Sequence, residues 1–125
     1  MIKLFFCLRR RPDLSRAQFL EHWHGIHAEI ARRGAEALGA VRYVQNHTLT
    51  LPINDALRDG RGAPEAFDGV VELWFESVDD VASTFHEPDA RAAIKALLAD
   101  EVTFIDLDSS PIFLAEEHLM WGDAT

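Results

Sequence analysis

Hydrophobic and polar positions follow two different periods along the chain. Four segments are dense in aliphatic, β-branched and aromatic residues and predict strands: residues 1–9, 40–51, 67–76 and 112–121. Two longer segments, 16–38 and 89–107, carry apolar side chains at helical spacing and predict amphipathic helices. Residues 54–66 are polar and rich in turn-forming types, so they predict a loop.

The resulting order of long elements is β-α-β-β-α-β. This order predicts an α+β fold of the ferredoxin-like type, with a four-stranded antiparallel sheet and both long helices on one face. Ser15 followed by Gln18 has the spacing of a capping box at the start of the first helix, and Gly39 suits its end. A chain of 125 residues is long enough for one core, so we expect a single domain spanning residues 1–125.

Helices on one face leave the other face of the sheet uncovered. The third strand nevertheless places apolar groups on both of its sides: one side carries Phe67, Val71, Leu73 and Phe75, and the other carries Asp68, Val70, Glu72 and Trp74. A monomer would expose the second set to water. We therefore expect a homodimer, a dimeric α+β barrel in which two sheets enclose an internal cavity.

Composition narrows the classes of partner. The chain carries 21 acidic and 12 basic side chains, a net charge of −9, and such a surface repels nucleic acid and anionic membranes. A neutral small molecule remains the expected partner. The single cysteine, Cys7, and the absence of a signal-peptide pattern near residue 1 predict a cytoplasmic location.

Three histidines stand within six residues of the first helix: His22, His24 and His27. If Trp23 centres the buried stripe, His27 lies about 40° from it on the helical wheel, whereas the other two lie about 100° away and should meet solvent or a loop. His24 and His27 have the spacing of a metal-binding pair, but no third ligand accompanies them, so we predict no metal site. His27 is then either a hydrogen-bonded structural residue or a general acid or base.

Strand residues supply candidate partners for His27. Glu72 lies between two apolar residues on the predicted cavity side, where a carboxyl group should either have a raised pKa or form an ion pair, for example with Arg42. Phe5, Trp23 and Trp74 are candidate aromatic walls for a planar apolar ligand, although such residues more often belong to the core.

Periodicity does not orient the second and last strands. Tyr43 and His47 share one side of the second strand, and both enter the predicted cavity if that side faces inward. Glu116 and His118 share one side of the last strand and are candidates for the ligand pocket or for the dimer interface.

Residues 8–30, LRRRPDLSRAQFLEHWHGIHAEI, resemble the signature of the EthD family, which reads roughly F-x-x-Y/H-W-x-x-x-H-A-P. The segments FDGVVELWF and SPIFLAEEHLM resemble the later parts of the same family. The resemblance implies a dimeric α+β barrel and singles out His27, which occupies the family's histidine position. Glu29 stands where the family usually has proline, so the helix should continue more smoothly past His27.

The superfamily implied by this resemblance includes cofactor-free cyclases, decarboxylases and isomerases, haem-using monooxygenases and members with no known activity. We accordingly expect a small enzyme without a cofactor that performs lyase or isomerase chemistry on a small apolar oxygenated metabolite. His27 would transfer the proton, and Glu72 and Tyr43 would polarise or orient the substrate. The alternatives are a monooxygenase, with haem or without a cofactor, and a non-catalytic binding protein of a catabolic pathway.

Overall fold

Within residues 1–123, the chain forms a sheet of four antiparallel strands with the order β2-β3-β1-β4. A computed structural model describes residues 1–123. The strands are β1 (Ile2–Leu8), β2 (Arg42–His47), β3 (Gly69–Phe75) and β4 (Ile112–Glu116). The most hydrophobic segment of the chain, β1, is a central strand that pairs with β3 on one edge and with β4 on the other.

In the described part of the chain, five helices and one short 3₁₀ turn accompany the sheet. They are α1 (Arg16–His24), α2 (Ile26–Ala37), α3 (Pro52–Asp59), α4 (Val78–Phe85), α5 (Pro88–Glu101) and the turn Leu107–Ser109. The two longest, α2 and α5, pack against each other and cover one face of the sheet. The ferredoxin-like α+β fold is therefore confirmed. Within residues 1–123, no helix combines the length and the apolar character that crossing a bilayer requires.

The first predicted helix is wrong in one respect, because residues 16–38 form two helices instead of one. The chain breaks at Gly25, whose φ of −93° and ψ of −104° lie outside the helical region. A Cβ atom there would lie 2.8 Å from the carbonyl oxygen of Glu21, so the break requires glycine. The capping box of Ser15 and Gln18 is present as predicted, and Gly39 follows the end of α2 with a φ of +80°.

Three other boundaries differ from the prediction. The segment 54–66 is not only a loop, since α3 begins at Pro52, a residue suited to the first turn of a helix. The helix predicted to reach residue 107 ends at Glu101, because the next residues pair with the chain beyond β1: Arg11 N–H donates to Phe104 O at 3.0 Å. β4 ends at Glu116, opposite Ile2, where its partner strand begins.

Two buried clusters of side chains hold the helices on the sheet. One joins Leu73 and Phe75 of β3 to α2 and α5. The other surrounds Trp23, which is fully buried and packs on Phe19 at a centroid distance of 5.6 Å. Gly69 of β3 lies directly beneath the Trp23 indole, so its lack of a side chain makes room for the ring.

The opposite face of the sheet carries the second set of side chains. Glu72 and Trp74 lie there, on the side of β3 away from Leu73 and Phe75, as the alternation predicts. Phe5 and Phe113 form an aromatic pair on the same face, with ring centroids 5.9 Å apart. Phe113 is 49% exposed in the isolated chain.

Gly69→Ala should destabilise the protein by about 1–3 kcal/mol, because the added Cβ would lie 2.4 Å from two atoms of the Trp23 ring and the buried indole has no room to move. Urea unfolding followed by tryptophan fluorescence measures the free energy of unfolding. Gly60→Ala is the control, since Gly60 is exposed with ordinary helical angles and its substitution should change stability by less than about 0.5 kcal/mol. Equal stability of the two variants would contradict this packing.

Candidate active site

A cavity of about 230 Å³ lies between the sheet and the helices α2 and α5. Its wall is mainly aliphatic and aromatic, with contributions from β1, β3 and α5. Three side chains with titratable groups contribute to the lining: His27 from α2, Tyr43 from β2 and Glu101 from the end of α5. An apolar pocket with a few convergent polar groups is the usual form of a small-molecule site.

His27 is buried, and Asp100 holds its ring in one orientation. His27 Nδ1 lies 2.7 Å from Asp100 Oδ2. Because a carboxylate only accepts hydrogen bonds, Nδ1 must carry the hydrogen of this contact. Among the described residues, Nε2 has no hydrogen-bond partner. The neutral ring therefore has an unprotonated Nε2, and because His27 lines the cavity, this nitrogen is the one available to act as a general base.

Asp100 also binds the second histidine of the cluster. His22 Nε2 lies 2.9 Å from Asp100 Oδ2 and 3.1 Å from Oδ1. The prediction that His22 meets only solvent or a loop is therefore wrong. One carboxylate of α5 accepts hydrogen bonds from both α1 and α2, on either side of the break at Gly25. His24 remains exposed and lies edge-on to His47 at 5.5 Å.

Opposing effects act on the protonation of His27. Burial lowers its pKa, and the nearby His22 adds to the lowering, whereas the hydrogen bond and the charge of Asp100 raise it. Burial is the largest of these effects, so the pKa of His27 lies below its usual value. The imidazole is therefore neutral at neutral pH, while Asp100 is in place to stabilise the imidazolium once a proton is taken up.

Glu101 brings a carboxyl group to the same cavity. Burial raises its pKa above the usual value, and the adjacent carboxylate of Asp100 raises it further. No ion pair to Glu101 forms within residues 1–123. The pKa values of His27 and Glu101 are thus moved towards each other, which suits an exchange of protons with one ligand.

Tyr43 contributes a phenol to the wall of the cavity. Burial raises the pKa of Tyr43, although a hydrogen bond from Gln45 acts in the opposite direction. The phenol therefore stays neutral at neutral pH and can donate a hydrogen bond.

Glu72 lies on the open face of the sheet, the side on which the sequence predicts a cavity between two sheets, and not in the cavity beneath the helices. Tyr43 is paired with Leu73 on the helix-covered face, whereas Glu72 lies on the opposite face of the sheet. There its carboxylate is 3.5 Å from Lys3 Nζ and accepts hydrogen bonds from Asn46 and Trp74. Glu72 is thus ion-paired, as one alternative anticipated, but with Lys3 instead of Arg42.

The predicted pocket residues are also divided between locations. Trp23 is enclosed in the core, and His47 stacks on it at 4.6 Å beside a surface depression. Phe5 and Trp74 lie on the open face, where Lys3 Nζ is 4.0 Å from the centre of the Trp74 ring. Glu116 and His118 are exposed and bind each other at 2.8 Å. Phe5 and Trp74 thus share the face predicted for a cavity between two sheets, and none of the six lines the cavity between the sheet and the helices.

Sequence reasoning missed Asp100 and Glu101. The available signal was an acidic pair at the end of an amphipathic segment otherwise rich in alanine and leucine. Overextending that helix to residue 107 hid the fact that the pair lies at its last turn, level with His27. Within residues 1–123, no group of three or more side chains is arranged to hold a metal ion.

A family model described as the EthD domain matches residues 11–108. Among solved structures, an ethyl tert-butyl ether D (EthD) family protein from Bacillus halodurans is 18% identical, with a TM-score of 0.63 over 94% of this chain and 99% of that chain. An EthD-like protein from Ralstonia eutropha is 13% identical, with a TM-score of 0.64 over 98% and 96%. A dimeric ferredoxin-like protein from Thermobifida fusca is 16% identical, with a TM-score of 0.58 over 91% and 88%. No curated protein matches the sequence significantly.

Glu101→Gln should stabilise the protein at neutral pH. The pKa of Glu101 is higher in the folded protein than in the unfolded chain. As pH rises through about 4.5, Glu101 therefore ionises first in the unfolded chain, and the wild type loses stability relative to the glutamine variant. The difference should be absent well below pH 4, grow with pH by about 1.4 kcal/mol per pH unit, and level off above the folded pKa. Urea unfolding at several pH values measures it. Glu21→Gln, the same substitution at an exposed position of α1, is the matched control.

Proposed function

The chain belongs to the EthD family, and from this premise we propose that it is a small enzyme that performs acid/base chemistry without a cofactor. Its substrate would be a small, largely apolar oxygenated metabolite. The observation that carries the proposal is the buried His27 in the cavity wall, whose Nδ1 lies 2.7 Å from Asp100 Oδ2 while Nε2 has no hydrogen-bond partner among the described residues. A carboxylate that orients an imidazole and stabilises its protonated form is a recurring device of general base catalysis.

The chemistry suits reactions that remove one proton and deliver another. Dehydration, aldol-type cyclisation and double-bond shifts all have this requirement, and decarboxylation of a carboxylate needs the delivery of a proton alone. His27 would take a proton from the substrate, Glu101 would donate or accept the second one, and Tyr43 would bind an oxygen atom of the substrate. Glu101 thus replaces Glu72 in the proposed catalytic set, because only Glu101 reaches the cavity.

The dimensions of the cavity support a small substrate. About 230 Å³ is below the usual range for drug-sized ligands, so a compound of about one ring fits better than a nucleotide or a macrocycle. The polar groups are few and are separated by apolar wall. A ligand held there would therefore be largely hydrophobic, with its oxygen atoms directed at His27, Tyr43 and Glu101.

A homodimer is part of the proposal. The open face of the sheet carries the Phe5–Phe113 pair and Trp74, and a second copy of that face would cover them. The Thermobifida fusca protein with the same fold is described as dimeric. Because the cavity lies on the other face, each subunit would hold its own site.

His27→Ala should lower turnover by about 10²-fold to 10⁴-fold, since it removes the general base. Small ring ketones, lactones and hydroxyaromatic acids form the substrate panel, and product formation by the purified protein is followed by liquid chromatography and mass spectrometry. His24→Ala is the matched control, because His24 is exposed and does not line the cavity. It should keep the wild-type rate.

Wild-type turnover by His27→Ala would refute this function. A Soret band on adding haemin, lost in His27→Ala, would favour a haem monooxygenase of the same superfamily. Binding of panel compounds without turnover, unchanged in His27→Ala, would favour an accessory binding protein.

Phe113→Glu should convert the dimer into monomers, because it places a charge within the aromatic pair at the proposed interface. Light scattering after size-exclusion chromatography measures the mass. Leu114→Glu is the control, since Leu114 is similarly exposed but lies on the other side of β4. A monomeric wild type, or loss of the dimer in the control alone, would contradict the open-face interface.

A further inference from the structure

Gln45 makes hydrogen bonds that the acid/base role of His27 does not require. It lies on β2 between Tyr43 and His47, and all three side chains are on the helix-covered side of the sheet. Gln45 Nε2 is 2.8 Å from the carbonyl oxygen of Trp23 and 2.7 Å from the hydroxyl oxygen of Tyr43. Gln45 Oε1 is 2.9 Å from His47 Nε2.

The chemistry of these partners determines the orientation of the amide. The carbonyl oxygen of Trp23 can only accept, so the amide nitrogen must face it. The second hydrogen of the same nitrogen then points to the oxygen of Tyr43. The amide oxygen is left facing His47, whose Nε2 must carry a hydrogen. With the amide reversed, two acceptors would face each other at Trp23.

We infer that Gln45 is a positioning residue that makes Tyr43 a hydrogen-bond donor towards the cavity. Gln45 already donates to the phenolic oxygen, so the phenolic hydrogen must find another acceptor. Among the described residues none takes it. The inference rests on the proposed function and adds a substrate class: a compound with a carbonyl or enolate oxygen, which Tyr43 would bind while His27 removes a nearby proton.

The position of Tyr43 supports a hydrogen bond donated from its phenol to a ligand in the cavity. The Tyr43 side chain lines both the cavity and a surface depression that is also lined by His24, Ala28, Gln45 and His47. Gln45 and His47 line the depression and not the cavity, so they do not occupy the space in which a ligand would meet Tyr43. A hydrogen bond from the phenol to a developing negative charge in the apolar cavity would be strengthened by the exclusion of water.

The chain contains one tyrosine, so its spectroscopic signals report Tyr43 alone. Gln45→Met removes the donor while keeping a side chain of similar length. Because the lost hydrogen bond favours the phenolate, the pKa of Tyr43, measured by ultraviolet absorbance titration, should rise by about one unit or more. Asn46→Met is the matched control: it is the next residue of β2 but lies on the open face, and it should leave the titration unchanged.

Raman spectroscopy of the wild type tests the same arrangement without a variant. The intensity ratio of the tyrosine doublet distinguishes a phenol that accepts a hydrogen bond from one that only donates, and we expect the accepting form, lost in Gln45→Met. A donating-only phenol in the wild type, or equal titration of Gln45→Met and the wild type, would overturn the inference. Neither measurement uses turnover. The hydrogen bond from Gln45 to Tyr43 can therefore be confirmed in a protein without activity, and it can be refuted in an active enzyme.

Discussion

The candidate site depends on the hydrogen bonds that the carboxylate of Asp100 accepts. It accepts hydrogen bonds from His22 of α1 and His27 of α2, and so joins both helices to the end of α5. The chain between the two histidines is broken at Gly25, and without that break the two rings would diverge around one helix. A largely buried carboxylate left without these partners would be costly, so its two contacts also favour the packed arrangement of the three helices.

The sheet divides the polar chemistry of the protein into two parts. On the helix-covered face, His27 is buried against Asp100 and Glu101 is half-buried beside the like charge of Asp100, and their pKa values are displaced from the usual ones. On the open face, Glu72 is neutralised by Lys3 and two hydrogen-bond donors. The first arrangement keeps groups reactive near neutral pH, whereas the second satisfies a charge. The same strands thus carry the proposed catalytic site on one face and the proposed assembly surface on the other.

Much of the fold could be predicted from the sequence because local patterns carry it. The two-residue period of β3 assigned Glu72 and Leu73 to opposite faces correctly, and the capping box at Ser15 marked the start of α1. The EthD resemblance and the position of Trp23 on the apolar stripe both identified His27 as a candidate site residue, and in the structure His27 lies in the cavity wall. These features depend on residues that are near one another in the chain.

The sequence alone determined the order of helices and strands and which side chains of each strand share a face. It also identified His27 and Tyr43 as candidate site residues. Only the tertiary structure decided which groups meet, because partners in the site are far apart in sequence: Asp100 lies 73 residues from His27. No periodicity records which way a strand faces relative to a helix, so Tyr43 and Glu72 could not be assigned to opposite faces beforehand. The packing of α5 against α2 covers one face of the sheet and places Glu101 at the cavity, and Tyr43 lies on that covered face.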